Sequence, residues 1–242
     1  MAERKIIRLG ETDSTNRFLK ELALSGAPQG TAVWADSQTA GRGRLGRTFV
    51  SPPGVGLYLS YLMRPATPPR ETASVTAWAG VAAAEAIKTV TGLTCSVKWV
   101  NDLLLQGKKV CGILTEMAGD AVIIGIGINV NTRSFPEEIA DKAVSLCLVS
   151  GKEVDREQLA EALIRRFDAL CRDWPAEKET YLAKYTRLCD TVGKEIDFTC
   201  RGIPCRGKAV GIGPDFELTV NLNGQTVQVS SGEVTLHQEG TK

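Results

Sequence analysis

The stretch AGRGRLGRTFVSPPG, residues 40–54, constrains the fold more than any other part of the chain. Gly41, Gly43 and Gly46 alternate there with Arg42, Arg44 and Arg47 and imitate two phosphate-binding signatures. Gly41-x-Gly43-x-x-Gly46 matches a dinucleotide fingerprint, and Gly41 to Thr48 nearly matches a P-loop with Arg47 in the lysine position. Both signatures work only when a helix opens at the glycines and aims its N-terminus at phosphate. Here TFVSPPG follows, and two prolines among β-formers cannot open that helix. The context argues against both nucleotide folds. What remains is a flexible tether between strands carrying three guanidinium forks, a shape suited to closing on an anion. Arginine–glycine RNA-binding tracts share the composition but are long and disordered, whereas this run is short and flanked by strand-like segments.

The rest of the chain alternates strands and helices. Lys5–Leu9 reads as a strand, and Thr12, Asp13 and Ser14 offer caps for a helix bearing Phe18, Leu19, Leu22 and Ala23. Thr31–Ala35 is β-rich, Ser51–Gly56 is a turn, and Leu57–Met63 alternates as a strand should. Glu71–Val90 is apolar on most sides, which predicts a buried helix. Cys95–Trp99 is a strand; Leu103–Leu105 and Lys109–Glu116 form a hairpin around Gly107, and Ala121–Asn129 is an apolar strand. Asp155–Trp174 and Glu177–Leu188 show helical spacing, broken by Pro175. After Asp190 the pattern changes to short strands with turns at Gly202, Gly213-Pro214 and Asn223-Gly224, the last a strong hairpin signal. The boundary divides a domain over residues 1–189 from a small β-domain over 190–242.

Bulk properties narrow the chemistry. A net charge of +1 gives no general attraction to nucleic acid or anionic membrane, so anion binding must come from local placement. No apolar run approaches the roughly 20 residues of a membrane span, and the N-terminus lacks a signal-peptide core. Seven cysteines, an odd number without a C-x-x-C pair, read as reduced and mostly buried in a cytoplasmic protein. His237 is the sole histidine, so neither a zinc site nor a nucleophilic triad is expected.

Three further groups carry polar chemistry. Lys98-Trp99-Val100-Asn101-Asp102 packs a cation, an amide and a carboxylate at a strand end; Lys109 lies in the next strand, and Gly112 would let a ligand lie flat on the sheet. Asp102 could hold a lysine or a magnesium ion. Asn129 and Asn131 end a buried strand, where an amide can meet a base, ribose or phosphate, or simply support a turn. Ser14, Thr15 and Asn16 open the first helix; one can cap it, leaving the others for a ligand with polar ends.

DSTN, AGRGRLGR, KWVNDL, KKVCGILTE, GIGINVN and the terminal GEVTL occur in that order, and in this the chain resembles the biotin–protein ligases from about Thr12 to about Leu236. The resemblance implies an α+β fold: a mixed central β-sheet with flanking helices, of class II synthetase type, followed by a small SH3-like β-barrel. It implies that biotin carboxylate attacks the α-phosphate of ATP, with Mg2+, and that a lysine of a carboxylase's biotin-carrier domain then takes the acyl group. By the same resemblance Ser14, Thr15, Asn16 and Gln38 meet the ureido end of biotin. Arg42, Gly43 and Arg44 wrap its carboxylate and the adenylate phosphate, and Arg47 faces the triphosphate. Lys109 sits at the reacting centre, and Lys109 and Arg44 are the catalytic residues. Asn101, Asp102, Asn129 and Asn131 serve the nucleotide, with Asp102 on the metal. Gly112 and the Leu57–Leu59 strand wall the acyl chain.

Two departures stand out: Val100 replaces the usual proline of KWPND, and Phe49 replaces the usual tryptophan. Neither removes a polar contact, so a change of shape rather than of chemistry is expected. Only a dozen residues precede DSTN, too few for a DNA-reading domain, so the expectation is a ligase without repressor activity. No nucleic acid or membrane partner is expected, and relatives that pair through their sheets make a homodimer an option. The nearest rival is a lipoate or octanoate ligase of the same fold. The rival from another class is a non-catalytic nucleic-acid binder, which would bind with a steep salt dependence.

Overall fold

A computed structural model describes residues 5–66, 72–200, 202–232 and 234–236. Glu71, Glu233 and His237 therefore lie outside the described residues. Seven strands form one sheet in the order β1-β2-β3-β7-β6-β5-β4. They are β1 (Ile6–Thr12), β2 (Ala32–Gln38), β3 (Gly56–Met63), β4 (Ser96–Lys98), β5 (Asp102–Leu105), β6 (Lys108–Ala118) and β7 (Ala121–Asn129). β1 and β2 are parallel, joined through helix α1 (Thr15–Leu24), and the remaining pairs are antiparallel, so the sheet is mixed as expected.

The sheet buries two unlike faces. One packs on α2 (Thr72–Thr91), α4 (Arg156–Asp173) and α5 (Lys178–Leu188) in the main core. The helix α2 is buried nearly all round, with Trp78 fully enclosed and stacked on Tyr181 at 3.8 Å. Asp155 caps α4 by accepting from Glu157 and Gln158 amides, and α4 buries Leu159, Leu163, Phe167 and Leu170. The other face carries a smaller cluster around α1, with Leu19, Ala23, Leu62 and Ile123 buried. Alternation along β3 decides which residues go where. Leu57, Leu59, Tyr61 and Met63 enter the main core, while Leu62 belongs to the α1 cluster. Leu57 and Leu59 therefore face away from α1, so of the Leu57–Leu59 strand expected to wall an acyl channel only Tyr58 stands on the α1 side, opposite Gly127. A short helix, α3 (Leu146–Ser150), was not legible in the sequence; Ser145 caps it.

Beyond Asp190 lies a five-stranded antiparallel sheet in the order β11-β10-β9-β8-β12, compatible with an SH3-like arrangement. Its strands are β8 (Glu195–Cys200), β9 (Ile203–Ile212), β10 (Leu218–Leu222), β11 (Gln225–Val229) and β12 (Val234–Leu236). Asn223 and Gly224 both adopt positive φ, 52° and 87°, as a two-residue type I′ hairpin requires. The two sheets share one continuous core: Phe216, Leu218 and Val234 belong to the same cluster as Trp78. Trp99 Nε1 donates to the Phe216 carbonyl at 2.8 Å, and Tyr185 meets the Phe216 ring edge-on.

Candidate active site

On the face shared with α1, cross-strand register lays out the floor of a cleft. One row reads Lys98, Asp102, Gly112, Gly127 and Tyr58 across β4, β5, β6, β7 and β3. The next row, about 6.6 Å along the strands, reads Leu114, Gly125 and Ser60. Three glycines thus leave bare backbone in the middle of an apolar sheet. The cleft over them encloses about 960 Å³, its solvent mouth included. Its lining takes in Ser14, Thr15, Asn16, Gln38, Arg42, Gly43, Arg44, Arg47, Asn101, Asp102, Lys109 and Gly112. Of the sequence-expected site residues, Asn129, Asn131 and the Leu57–Leu59 strand are not in that lining.

Two of the glycines, Gly125 and Gly127, are required by what lies against them. A Cβ at Gly125 would stand 2.0 Å from Asn16 Oδ1, and one at Gly127 would stand 2.6 Å from the Phe49 ring. At Gly112 the nearest atoms would be Cε and Nζ of Lys109, both at 3.1 Å. Phe49 therefore rests its ring on the glycine strip, with its edge toward Tyr58 at 6.4 Å.

One end of the cleft is neutral and closely hydrogen-bonded. Ser14 stands at the N-cap position of α1 but makes no side-chain cap bond. Gln38 does that work from a neighbouring strand: its Oε1 accepts from Thr15 N at 2.9 Å and from Thr15 Oγ1 at 3.2 Å. Gln38 Nε2 donates to Ser51 Oγ at 2.9 Å, which fixes the amide's orientation. Asn16 Nδ2 donates both to the Leu114 carbonyl at 3.1 Å and to Glu116 Oε2 at 2.8 Å. With both N–H groups used, Asn16 has only acceptor capacity left, at Oδ1. Ser60 Oγ lies 2.6 Å from that oxygen and 2.8 Å from Thr15 Oγ1, close enough to donate to either. Ser60 and Glu116 were missed in the sequence. A fully buried serine inside the apolar run GLYLSYLM was the available signal for Ser60.

The opposite end is cationic. Lys109 owes its place to a β-bulge: Leu103 pairs with Cys111 and Leu104 with Lys109, so Val110 is extra on β6. In unbroken alternation Lys109 would share the core face with Cys111; the bulge sends Val110 and Cys111 both into the core and turns the Lys109 side chain over Gly112. Lys109 Nζ stands 2.7 Å from Asp102 Oδ1. The ammonium meets that oxygen as a close ion pair outside hydrogen-bond alignment, so Asp102 Oδ1 is buried without an aligned hydrogen bond. Asn129 donates weakly to the Lys109 carbonyl at 3.5 Å and to the Val144 carbonyl at 3.2 Å, and so braces the lysine's backbone. Asn131 exchanges two hydrogen bonds with the Val154 backbone, at 2.9 and 3.0 Å, tying β7 to the following segment. Both side chains act on the chain itself in this structure.

Over the cationic end folds the arginine segment. Gly43 N donates to Arg47 O at 2.7 Å, Arg42 bridges to Thr48, and Gly46 takes φ 75° at the turn. Leu45, at φ 55°, is 73% exposed at the tip. Arg44 reaches across the cleft mouth, donating to Asn101 Oδ1 at 3.0 Å and to the Gly232 carbonyl at 2.8 Å. Asn101 in turn donates to the Ile113 carbonyl at 3.2 Å, so the segment is anchored on both sheets. Val234 of the small sheet completes the lining.

The chain that builds this cleft is matched, in sequence and in fold, by known proteins. Residues 10–131 match the model of the biotin/lipoate A/B protein ligase family. The chain belongs to that family. It is 32% identical over 245 residues to the biotin--[acetyl-CoA-carboxylase] ligase of Mycobacterium tuberculosis, covering 96% of this chain and 88% of the relative. It is 44% identical over 168 residues to the bifunctional ligase/repressor BirA of Bacillus spizizenii, covering 66% of this chain. It spans about half of that relative's length, 52%. The biotin protein ligase of Aquifex aeolicus, solved in complex with biotin and ATP, superposes with a TM-score of 0.87 at 35% identity, covering 98% of this chain and all of the other.

Proposed function

We propose that this member of the family is an ATP-dependent ligase that joins biotin to AMP and passes the acyl group to a lysine of a carboxylase's biotin-carrier domain. The hydrogen-bond inventory of the polar end carries this reading over a lipoate ligase. Asn16 offers an acceptor and the Ser14 and Thr15 hydroxyls line the same end of the cleft. A cyclic urea presents two N–H donors and one carbonyl, and pairs with such a set. A dithiolane presents none of these and would displace water from the Ser14 hydroxyl and the second lone pair of Asn16 Oδ1 without replacing its hydrogen bonds, the kind of mismatch on which large discrimination rests.

The chemistry follows from the charges. A carboxylate and a triphosphate repel, and Lys109 with the arginine segment lowers that repulsion while holding the reactants in line. The carboxylate oxygen bonds to the α-phosphorus as the α–β bridging P–O bond breaks, its electron pair leaving with pyrophosphate. The neutral acceptor amine then attacks the acyl carbon, the acyl–phosphate C–O bond breaks as AMP departs with its electron pair, and the amine's proton passes to solvent. No side-chain nucleophile is needed. A Mg2+ ion accompanying the nucleotide would be held by the Asp102 carboxylate, whose Oδ1 pairs with the Lys109 ammonium and makes no aligned hydrogen bond. A single carboxylate plus phosphate oxygens is a usual magnesium environment. Among the described residues no cluster of three acidic, cysteine or histidine side chains could hold a metal. Titration calorimetry with biotin and with lipoate tests the assignment: biotin is expected to bind at least about 100-fold tighter, and equal binding would overturn it.

A further inference from the structure

The cleft's cations differ in what already occupies them. Lys109 stands against Asp102 at 2.7 Å. Arg44 is held by Asn101 and by the Gly232 carbonyl. Lys98 also lines the cleft, half-buried at the end of β4, yet among the described residues its ammonium has no hydrogen-bond or ion-pair partner. This is unexpected from the register. Lys98 lies directly opposite Asp102 in the ladder, on the same face, where an opposite charge would be its natural partner. Asp102 engages Lys109 instead. A positive charge left without a counter-charge inside a cleft marks a place for an anionic ligand.

Position says which part of the ligand. Lys109 overhangs Gly112, and Lys98 lies two strands further out, about 9.6 Å from Gly112 across the sheet. Asp102 stands between them in the same row. A nucleotide whose α-phosphate meets Lys109 can extend its β- and γ-phosphates past Asp102 toward Lys98. We infer that Lys98 is a further catalytic residue of the first half-reaction, taking the charge that develops on the departing pyrophosphate. This rests on the adenylation reading above. As the carboxylate–phosphorus bond forms, the α–β P–O bond breaks and the bridging oxygen keeps the electron pair. The Lys98 ammonium meets that growing charge and gives up no proton.

The assignment separates the two half-reactions. Wild type, Lys98→Met and Lys98→Arg are compared in biotin-dependent exchange of labelled pyrophosphate into ATP, and in transfer from chemically prepared biotinyl-adenylate to a carrier domain. Lys98→Met is expected to lose about 100-fold in exchange, with the apparent KM for pyrophosphate raised about tenfold or more. Biotin affinity and transfer should stay within about twofold, and Lys98→Arg should recover much of the exchange because it restores the charge. Exchange unchanged in Lys98→Met would overturn the role of Lys98 alone. Equal loss in exchange and transfer would also overturn it, as a structural or acceptor-docking role predicts. Absence of exchange in wild type would instead remove the adenylation reading, and the inference with it.

Discussion

Gly125→Ala puts the polar end of the cleft under direct test. A Cβ there would lie 2.0 Å from Asn16 Oδ1, 2.6 Å from its Cγ and 2.7 Å from its Nδ2. Side-chain atoms do not approach a Cβ closer than about 3.0 Å, so the carboxamide must retreat by roughly 1 Å. It is 5% exposed and has nowhere to go without leaving its partners. The bonds at risk are the one to Glu116 at 2.8 Å, the one to the Leu114 carbonyl at 3.1 Å and the contact with Ser60 at 2.6 Å. A hydrogen bond to a carboxylate is worth about 1.5–3 kcal/mol and a neutral one about 1 kcal/mol, so the full set amounts to ~3–5 kcal/mol, and partial re-formation leaves ~2–4 kcal/mol. Urea titrations should show that loss of stability. Biotin loses its acceptor for one ureido N–H, which costs ~2–3 kcal/mol, or about 30- to 150-fold in Kd by calorimetry. The control is the same change made in an Asn16→Ala background, where the obstacle is gone. There Gly125→Ala should cost less than about 0.5 kcal/mol. If it costs as much as in the native background, the clash with Asn16 is not the reason Gly125 is a glycine, and the reasoning fails.

Other consequences follow from the same geometry. Glu116→Ala frees the Asn16 amide to rotate; biotin Kd should rise about tenfold or more, the worth of one hydrogen bond to a charge, with kcat at saturating biotin unchanged. Lys109→Ala should lower the rate of adenylate formation in single-turnover assays by at least about 100-fold while weakening biotin binding far less, because its charge matters most in the transition state. Arg44→Gly removes the tie between the arginine segment and both sheets, and should release biotinyl-adenylate that labels bystander lysines, detectable by mass spectrometry of an added non-acceptor protein. Burial pushes the thiols of Cys95 and Cys171 up to about 12 from an ordinary 9.0. Each stays protonated in the fold while the unfolded chain ionises, so the unfolded state binds fewer protons between those values. Stability should therefore be intact below pH 9 and fall as pH rises above it. Urea midpoints across pH 8–11 should show the decline, shallower in Cys171→Ala.

The elements were largely legible in the sequence because their signals are local. Strand alternation, the cap at Asp155 and the Asn223-Gly224 turn each act over a few residues, and each stands where local chemistry puts it. What escaped depends on partners distant in the chain. Strand parity fixes that Leu57 and Leu59 share a face, but not which face looks toward α1; packing on α2 and α4 decides it. Lys109 reads as a strand residue of either face until the bulge at Val110 is known, and nothing in KKVCGILTE marks a bulge. The arginine segment was recognisable as an anion clamp, but its anchorage on Asn101 and Gly232 joins residues far apart. Ser14, Thr15 and Asn16 were expected to share one cap and two free groups. The cap instead comes from Gln38, a side chain 23 residues away, and Asn16 is claimed by Glu116. Asn129 and Asn131 show the limit of reading amides from sequence: at a strand end the same group can serve a ligand or the chain, and here both bond to backbone.

The central claim is that one cleft brings biotin's carboxylate and the α-phosphate of ATP together. Pyrophosphate–ATP exchange without any acceptor protein measures that step alone. Rapid exchange is predicted with biotin present and none without it or with lipoate in its place. Exchange that proceeds equally without biotin, or fails with all three components supplied, would contradict the account.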